Sequence, residues 1–124
     1  MSTDPRSIPY QKPRRVFITN MVNHDYTPLL KIGELVPVTE GRQDIRYTDK
    51  IRAKIEQVLE TMNPDDLLCI SGHSLVAVEC SAIVQKKFGR VRYVFWESFT
   101  NKYVERDTQM PDDFFAEVDP NAQP

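Results

Sequence analysis

Apolar residues occur along this chain in separate blocks, and the length of each block predicts a strand or a helix. Residues 67–70 form a short continuous apolar run, which is typical of a strand covered on both faces. Residues 75 to about 88 are apolar nearly all round, and a lysine pair followed by Gly89 ends the segment, which indicates a largely buried helix with a glycine cap. Residues 91 to about 96 form another strand. The stretch 66–99 therefore predicts a strand–helix–strand unit with a right-handed connection.

Further elements are predicted on both sides of this unit. The strands cover about residues 16–19, 35–39 and 102–106, and the helical segments cover about residues 28–32 and 47–62. Thr27 followed by Pro28 is a helix-start signal with Thr27 as the N-cap, and either Asp44 or Thr48 is expected to cap the longer helix. Pro37 has no N–H to donate, so its strand is expected at a sheet edge or with a bulge. The last strand is expected to form an antiparallel hairpin with the strand before it.

The order of these elements predicts the fold class. It is a single small α/β domain with a mixed sheet of four to five strands and two main helices. Residues 1–13 hold three prolines and are predicted to form a flexible basic arm, and residues 14–107 form the α/β domain. Residues 108–124 are predicted to form an acidic disordered tail.

Composition narrows the function classes only slightly. The 124 residues carry a formal net charge of −2, so the overall charge does not indicate a nucleic-acid partner. Cys69 and Cys80 lie in apolar segments, which favours buried reduced thiols over a disulfide, and no Cys or His spacing suggests a metal or other cofactor. The chain has neither an apolar signal core nor a run long enough to span a membrane, so a cytoplasmic protein is expected.

Basic and aromatic residues interleave in three places, at residues 10–17, 42–52 and 90–103. Single-stranded nucleic acid is bound by such surfaces, because cations follow the phosphates while rings stack on the bases. The candidate DNA-binding residues are Lys12, Arg14, Arg15, Arg46, Tyr47, Arg52, Arg90, Arg92, Tyr93, Trp96, Lys102 and Tyr103. The alternative interpretation is an ordinary core strand with solvated arginines. A homo-oligomer is expected for such a binder, with Trp96 and Phe99 as interface residues.

A polar turn follows the buried strand at residues 67–70 and opens the next helix. Helix N-termini attract anions, and open α/β sheets bind ligands at this edge. The candidate anion-binding residues are Ser71, Gly72, His73 and Ser74. The alternative interpretation is a simple helix start, with Ser71 or Ser74 as the N-cap.

A second polar loop, at residues 23–26, follows the first strand. If the first and third strands are neighbours, His24 and His73 share one sheet edge, and with Ser74 or Glu97 they form a candidate acid–base site. The alternative is a loop held by Asx-type hydrogen bonds.

Four segments resemble the small orphan proteins encoded by tailed bacteriophages. They are residues 15–20 (RVFITN), 23–26 (NHDY), 33–41 (GELVPVTEG) and 103–106 (YVER), within a similarity that covers about residues 14–107. Some phage orphans of this size are single-stranded-DNA-binding cofactors of the phage RNA polymerase. The resemblance implies the same role here, in the host cell cytoplasm. It also implies that residues 111–124, which pair acidic residues with Phe114 and Phe115, contact a phage or host polymerase.

The favoured hypothesis is a non-enzymatic single-stranded-DNA-binding protein that acts in transcription or replication. The alternative is a small nucleotide- or phosphate-binding α/β protein or hydrolase that uses residues 71–74 with His24 and His73. A third hypothesis is a host-directed inhibitor that binds a protein through Phe114 and Phe115. A solubilising terminus whose phenylalanines tuck onto the domain is the simpler interpretation of the same tail.

Overall fold

The computed structural model describes residues 14–44, 46 and 48–109. The elements, in chain order, are β1 (Arg14–Met21), a short 3-10 helix (Thr27–Lys31), β2 (Gly33–Glu40), α1 (Thr48–Leu59), β3 (Leu67–Ile70), α2 (Ser74–Phe88), β4 (Arg92–Glu97) and β5 (Lys102–Asp107). The predicted fold class is therefore confirmed, with five strands and two main helices. The predicted arm with Lys12, the ring of Tyr47, and residues 110–124 of the predicted tail lie outside the described residues.

The five strands form one mixed sheet in the order β2-β1-β3-β4-β5. β2, β1, β3 and β4 run parallel, and β5 pairs antiparallel with β4, so the predicted hairpin is confirmed. β2 lies at an edge, as Pro37 predicted. β1 and β2 are longer than predicted, because they pair along their whole length, from Arg14 opposite Gly33 to Met21 opposite Glu40.

The two faces of the sheet are covered very differently. α1 and α2 pack on one face, the helical face, with a core that includes Phe17, Leu68, Ile55, Leu59, Val76 and Val84. On the opposite face, the 3-10 helix is the only helical element in the described part of the chain, and its Leu29 packs over Val16, Ile18, Leu67 and Val94. In the strand order, the connections from β2 to β3 and from β3 to β4 lead towards β5. The connection from β1 to β2 leads the opposite way, to the β2 edge of the sheet. Right-handed connections therefore place α1 and α2 on the same face and the 3-10 helix on the other.

The start of the 3-10 helix differs from the prediction. Tyr26, and not Thr27, is the residue before the first helical turn, and no side chain caps it. Asp25 Oδ1 accepts a hydrogen bond from the Thr27 N–H at 2.9 Å, which is the Asx-type turn that the sequence offered as an alternative. Among the described residues, no helix combines the length and the apolar character that crossing a membrane requires.

Cys69 and Cys80 are free and buried, as predicted, and they belong to the cores on opposite faces of the sheet. Burial raises the pKa of each thiol to about 12. Because the thiolate is the reactive form, we expect neither thiol to react with an aromatic disulfide reagent at pH 8 in the folded protein. Both should react after unfolding in guanidinium chloride, and folded protein that reacts at the rate of free cysteine would contradict this assignment.

The same pKa shift predicts a pH dependence of stability. The thiols bind their protons more tightly in the folded state than in the unfolded state, where the pKa is about 8.5. Their contribution to stability is therefore fully present below about pH 8.5 and is lost progressively as the pH rises towards 12.

Candidate functional site

Two loops leave the sheet at the boundary between β1 and β3. These strands are parallel neighbours, so the loops that follow them begin at the same edge, the carboxyl edge. The loop after β1 turns to the face of the 3-10 helix, and the loop after β3 turns to the helical face. Open α/β sheets bind their ligands at such a switch point, in the crevice between the diverging loops. The carboxyl edge is therefore the candidate functional site.

Hydrogen bonds connect the loop after β3 both to β1 and to the loop that follows β1. The Thr19 hydroxyl donates to the Ser71 carbonyl at 2.7 Å and accepts from the Ser71 N–H at 2.9 Å. The hydroxyls of Tyr26 and Ser71 lie 2.7 Å apart, and the Tyr26 oxygen also accepts from the Val22 N–H at 3.0 Å. Ser71, a predicted anion ligand, thus bonds to β1 through its backbone and to the loop after β1 through its side chain.

Gly72 brings the loop after β3 against the end of β1. Its φ is +73°, and a Cβ at this position would lie 2.6 Å from the backbone oxygen of Asn20. Asn20 is buried, and its Oδ1 accepts from the Thr39 hydroxyl at 2.8 Å. These contacts connect the ends of β2, β1 and β3, so the geometry of the edge requires glycine at position 72.

The N-cap of α2 is His73. The simpler interpretation expected Ser71 or Ser74 in that role, and that expectation is wrong. The Nδ1 atom of His73 accepts a hydrogen bond from the Leu75 N–H at 3.1 Å. Because Nδ1 is an acceptor, the neutral ring carries its proton on Nε2, which remains as a donor.

A cavity of about 720 Å³ lies beside His73, lined also by Arg42, Gln43, Asp44 and Arg46 of the loop between β2 and α1. Asp44 Oδ2 lies 2.8 Å from the Arg46 guanidinium, and this hydrogen bond lowers the pKa of the Asp44 carboxyl. Arg42 has no hydrogen bond or ion pair to any residue that the structure describes. The cavity thus combines one internally paired arginine with a second arginine and an imidazole donor.

The loop after β1 forms a ring cluster on the other face, which consists of His24, Tyr26, Trp96 and Tyr103. The centroid of the His24 ring lies 5.3 Å from that of Tyr26 and 5.6 Å from that of Trp96, both edge-on. The Trp96 and Tyr103 centroids are 5.1 Å apart. The Tyr103 hydroxyl donates to the Asp25 carbonyl at 2.9 Å, and burial raises the pKa of this phenol. The cluster therefore attaches the β4–β5 hairpin to the loop after β1.

His24 and His73 both lie in loops at the carboxyl edge, but their side chains are on opposite faces of the sheet. His24 lies in the ring cluster, and His73 lies at the cavity on the helical face. Glu97 accepts hydrogen bonds from the backbone N–H groups of Phe99 and Thr100, at 3.1 and 2.8 Å, so it shapes the β4–β5 turn. Within the described ranges, no group of three or more His, Cys, Asp or Glu side chains has the arrangement of a metal site.

The sequence profile of the phage Pam3 gp32-like protein family matches residues 9–110 of this chain. The chain belongs to this family. The predicted relationship to phage orphan proteins is thereby confirmed at the level of the family. No curated protein and no solved structure matches the chain.

The arginines that the sequence assigned to DNA have carboxylate partners in this phage protein. Guanidinium to carboxylate distances are 2.8 Å for Arg14 to Glu105, 3.1 Å for Arg15 to Asp66, 2.8 Å for Arg52 to Glu79 and 3.9 Å for Arg92 to Asp65, and Arg90 pairs with Asp107. Asp66, Arg90 and Arg92 line one cavity at the amino edge of the sheet. Trp96 and Tyr103 lie at the opposite, carboxyl edge. The structure therefore separates these arginines from those rings.

Sequence reasoning missed the position of the loop between β2 and α1 beside His73. The sequence places Arg42 and Arg46 in a basic and aromatic segment, residues 42–52, and gives no sign that this segment lies beside His73. Once β2 is placed beside β1, Arg42 and Gln43 must lie near the loops of the switch point. The strand order was the missing information.

Proposed function

We propose that this phage protein binds a small phosphate-bearing molecule, of the nucleotide class, in the cavity at the carboxyl edge. The observation that carries the proposal is the set of groups around that cavity. Arg42, Arg46 and His73 line it, at the N-terminus of the 15-residue helix α2 and beside the switch point of the sheet.

The chemistry of these groups favours an anion. A guanidinium matches the spacing of phosphate oxygens, and the N-terminus of a helix carries partial positive charge. Asp44 neutralises Arg46, so Arg42 and the remaining N–H of His73 supply the donors for the ligand. The volume of about 720 Å³ falls in the range of roughly 300–1,000 Å³ that is usual for small-molecule sites.

Replacement of Arg42 by alanine is expected to weaken binding about 10- to 100-fold. A hydrogen bond to a charged group contributes about 1.5–3 kcal/mol, and 1.4 kcal/mol corresponds to a factor of ten. Calorimetric titration of the full chain with mononucleotides, pyrophosphate and inorganic phosphate at low salt measures the effect.

The matched control is Arg52→Ala. This arginine is also exposed, but it pairs with Glu79 between α1 and α2 and does not line the cavity. The control variant should bind as the unmodified protein does. If the unmodified chain binds none of these probes, or if both variants weaken binding equally, the assignment is wrong.

Single-stranded DNA binding in transcription or replication is a second candidate, supported by exposed rings at the same edge. Trp96 is 37% exposed and Phe99 is 74% exposed, and Lys102 follows them at the start of β5. Stacking of a base on a ring contributes about 1–3 kcal/mol. This second candidate function also includes contact of residues 111–124 with a polymerase and assembly into a homo-oligomer.

The same titrations distinguish the two candidates. Under the second, Trp96→Ala weakens binding of an oligonucleotide, the affinity of the unmodified protein falls as salt rises, and Arg42→Ala has little effect. Under the first, Arg42→Ala weakens mononucleotide binding and Trp96→Ala leaves it unchanged.

A further inference from the structure

An apolar groove of about 430 Å³ runs between α2 and the hairpin of β4 and β5. The residues that line it include Ile70, Ala77, Val78, Val91, Tyr93 and Thr108. Val78 is 64% exposed although it lies on a helix that is otherwise rich in buried residues. The groove is separate from the cavity beside His73 and from the ring cluster.

The architecture explains why this part of the helical face is open. Two helices cover five strands, and α2 packs over β1 and α1 rather than over β5. The rings of Tyr93 and Phe95 stack there with their centroids 6.0 Å apart. The apolar surface of the hairpin therefore needs a covering segment that neither helix supplies.

The described chain ends beside this groove. Thr108, which lines it, donates its N–H to the Val91 carbonyl at 3.0 Å, and the Gln109 side chain donates to the Gly89 carbonyl at 3.0 Å. Asp107 is opposite Arg92, the first residue of β4, so the chain beyond Gln109 has no further residue of β4 with which to pair. The chain that leaves Gln109 therefore starts at the end of α2 that borders the groove.

The residues that follow have the length and chemistry to fill the groove. Phe114 is five positions beyond Gln109, a reach of about 17 Å when extended, and the part of α2 from Val78 to Phe88 is about 15 Å long. Arg106 is paired opposite Tyr93, so it borders the groove, and the tail carries two acidic residues directly before Phe114.

We propose that Phe114 and Phe115 of the chain's own tail dock in the groove between α2 and the β4–β5 hairpin. The aromatic pair covers the apolar surface that the two helices leave open, and Asp112 and Asp113 lie towards Arg106. The docked tail then buries the apolar surface of the β4–β5 hairpin that α1 and α2 do not cover.

A spin label at position 116 of the full chain, introduced by Ala116→Cys, tests this docking. Cys69 and Cys80 are buried, so the new thiol is labelled selectively. We expect the amide signals of Ile70, Val78 and Tyr93 to broaden in nuclear magnetic resonance spectra. The additional double substitution Phe114→Ser and Phe115→Ser should abolish the broadening, whereas the matched change Asn121→Ser should preserve it.

Three results would overturn the proposal. The first is broadening confined to the residues next to Gln109 in the chain, and the second is broadening that persists without the two phenylalanines. The third comes from mixing isotope-labelled chains without a spin label and unlabelled chains that carry one. Broadening of the groove signals in that mixture would assign the groove to the tail of a second copy.

Discussion

Replacing Gly72 by alanine is expected to lower the free energy of unfolding by about 3 kcal/mol, and the melting temperature by roughly 10–20 °C. The φ of +73° disfavours any side chain with a Cβ. In addition, the new methyl group would lie 2.6 Å from both the backbone oxygen and the side-chain nitrogen of Asn20, which is 2% exposed and cannot move aside. β1 and β3 must then separate at the carboxyl edge.

Gly89→Ala is the matched control for this prediction. Gly89 has a similar φ of +74°, but a Cβ there meets no atom within 4 Å. Its substitution should cost only the conformational penalty of about 1 kcal/mol. Urea denaturation of the three proteins measures both effects, and equal losses for the two variants would show that the contact with Asn20 contributes nothing.

Asp66→Ala is expected to lower the free energy of unfolding by a similar amount, about 3 kcal/mol. The Asp66 carboxylate is 3% exposed and accepts from the backbone N–H groups of Arg15 and Asn63, at 2.9 and 2.8 Å. It also lies 3.1 Å from the Arg15 guanidinium, which donates in turn to the Thr61 carbonyl. Alanine removes the carboxylate that accepts all of these bonds. The backbone N–H groups of Arg15 and Asn63 then lose their acceptor, and the Arg15 guanidinium loses its counter-charge.

The neighbouring Asp65 provides the control for this substitution. Its side chain is 87% exposed and lies 3.9 Å from Arg92, an ion pair of the kind that contributes about 0–1 kcal/mol. Asp65→Ala should therefore change the urea midpoint little, and added salt should reduce even that change. A loss for Asp66→Ala no larger than that for Asp65→Ala would contradict the role of the buried carboxylate.

The candidate site was only partly predictable, and the reason differs from residue to residue. The turn at residues 71–74 was recognised because a polar segment between an apolar strand and an apolar helix is a local signal. The cap could not be assigned, because Ser71, His73 and Ser74 all offer side-chain acceptors, and only the structure shows that the Ser71 hydroxyl is engaged by the Tyr26 hydroxyl. The proximity of Arg42 to His73 could not be predicted, because it depends on which strand lies beside β1.

The sequence by itself determined the order of strands and helices, the edge position of the strand that holds Pro37, and the burial of Cys69 and Cys80. All three follow from local properties, since the apolar periodicity and the missing proline N–H act within a few residues. Only the tertiary structure decided which charges are paired. Arg15 meets Asp66 across 51 positions and Arg14 meets Glu105 across 91, and pairing over such separations depends on the strand order. The tertiary structure also placed Arg90 and Arg92 at the amino edge of the sheet and Trp96 and Tyr103 at the carboxyl edge, because the position of each side chain follows from the direction in which its strand runs.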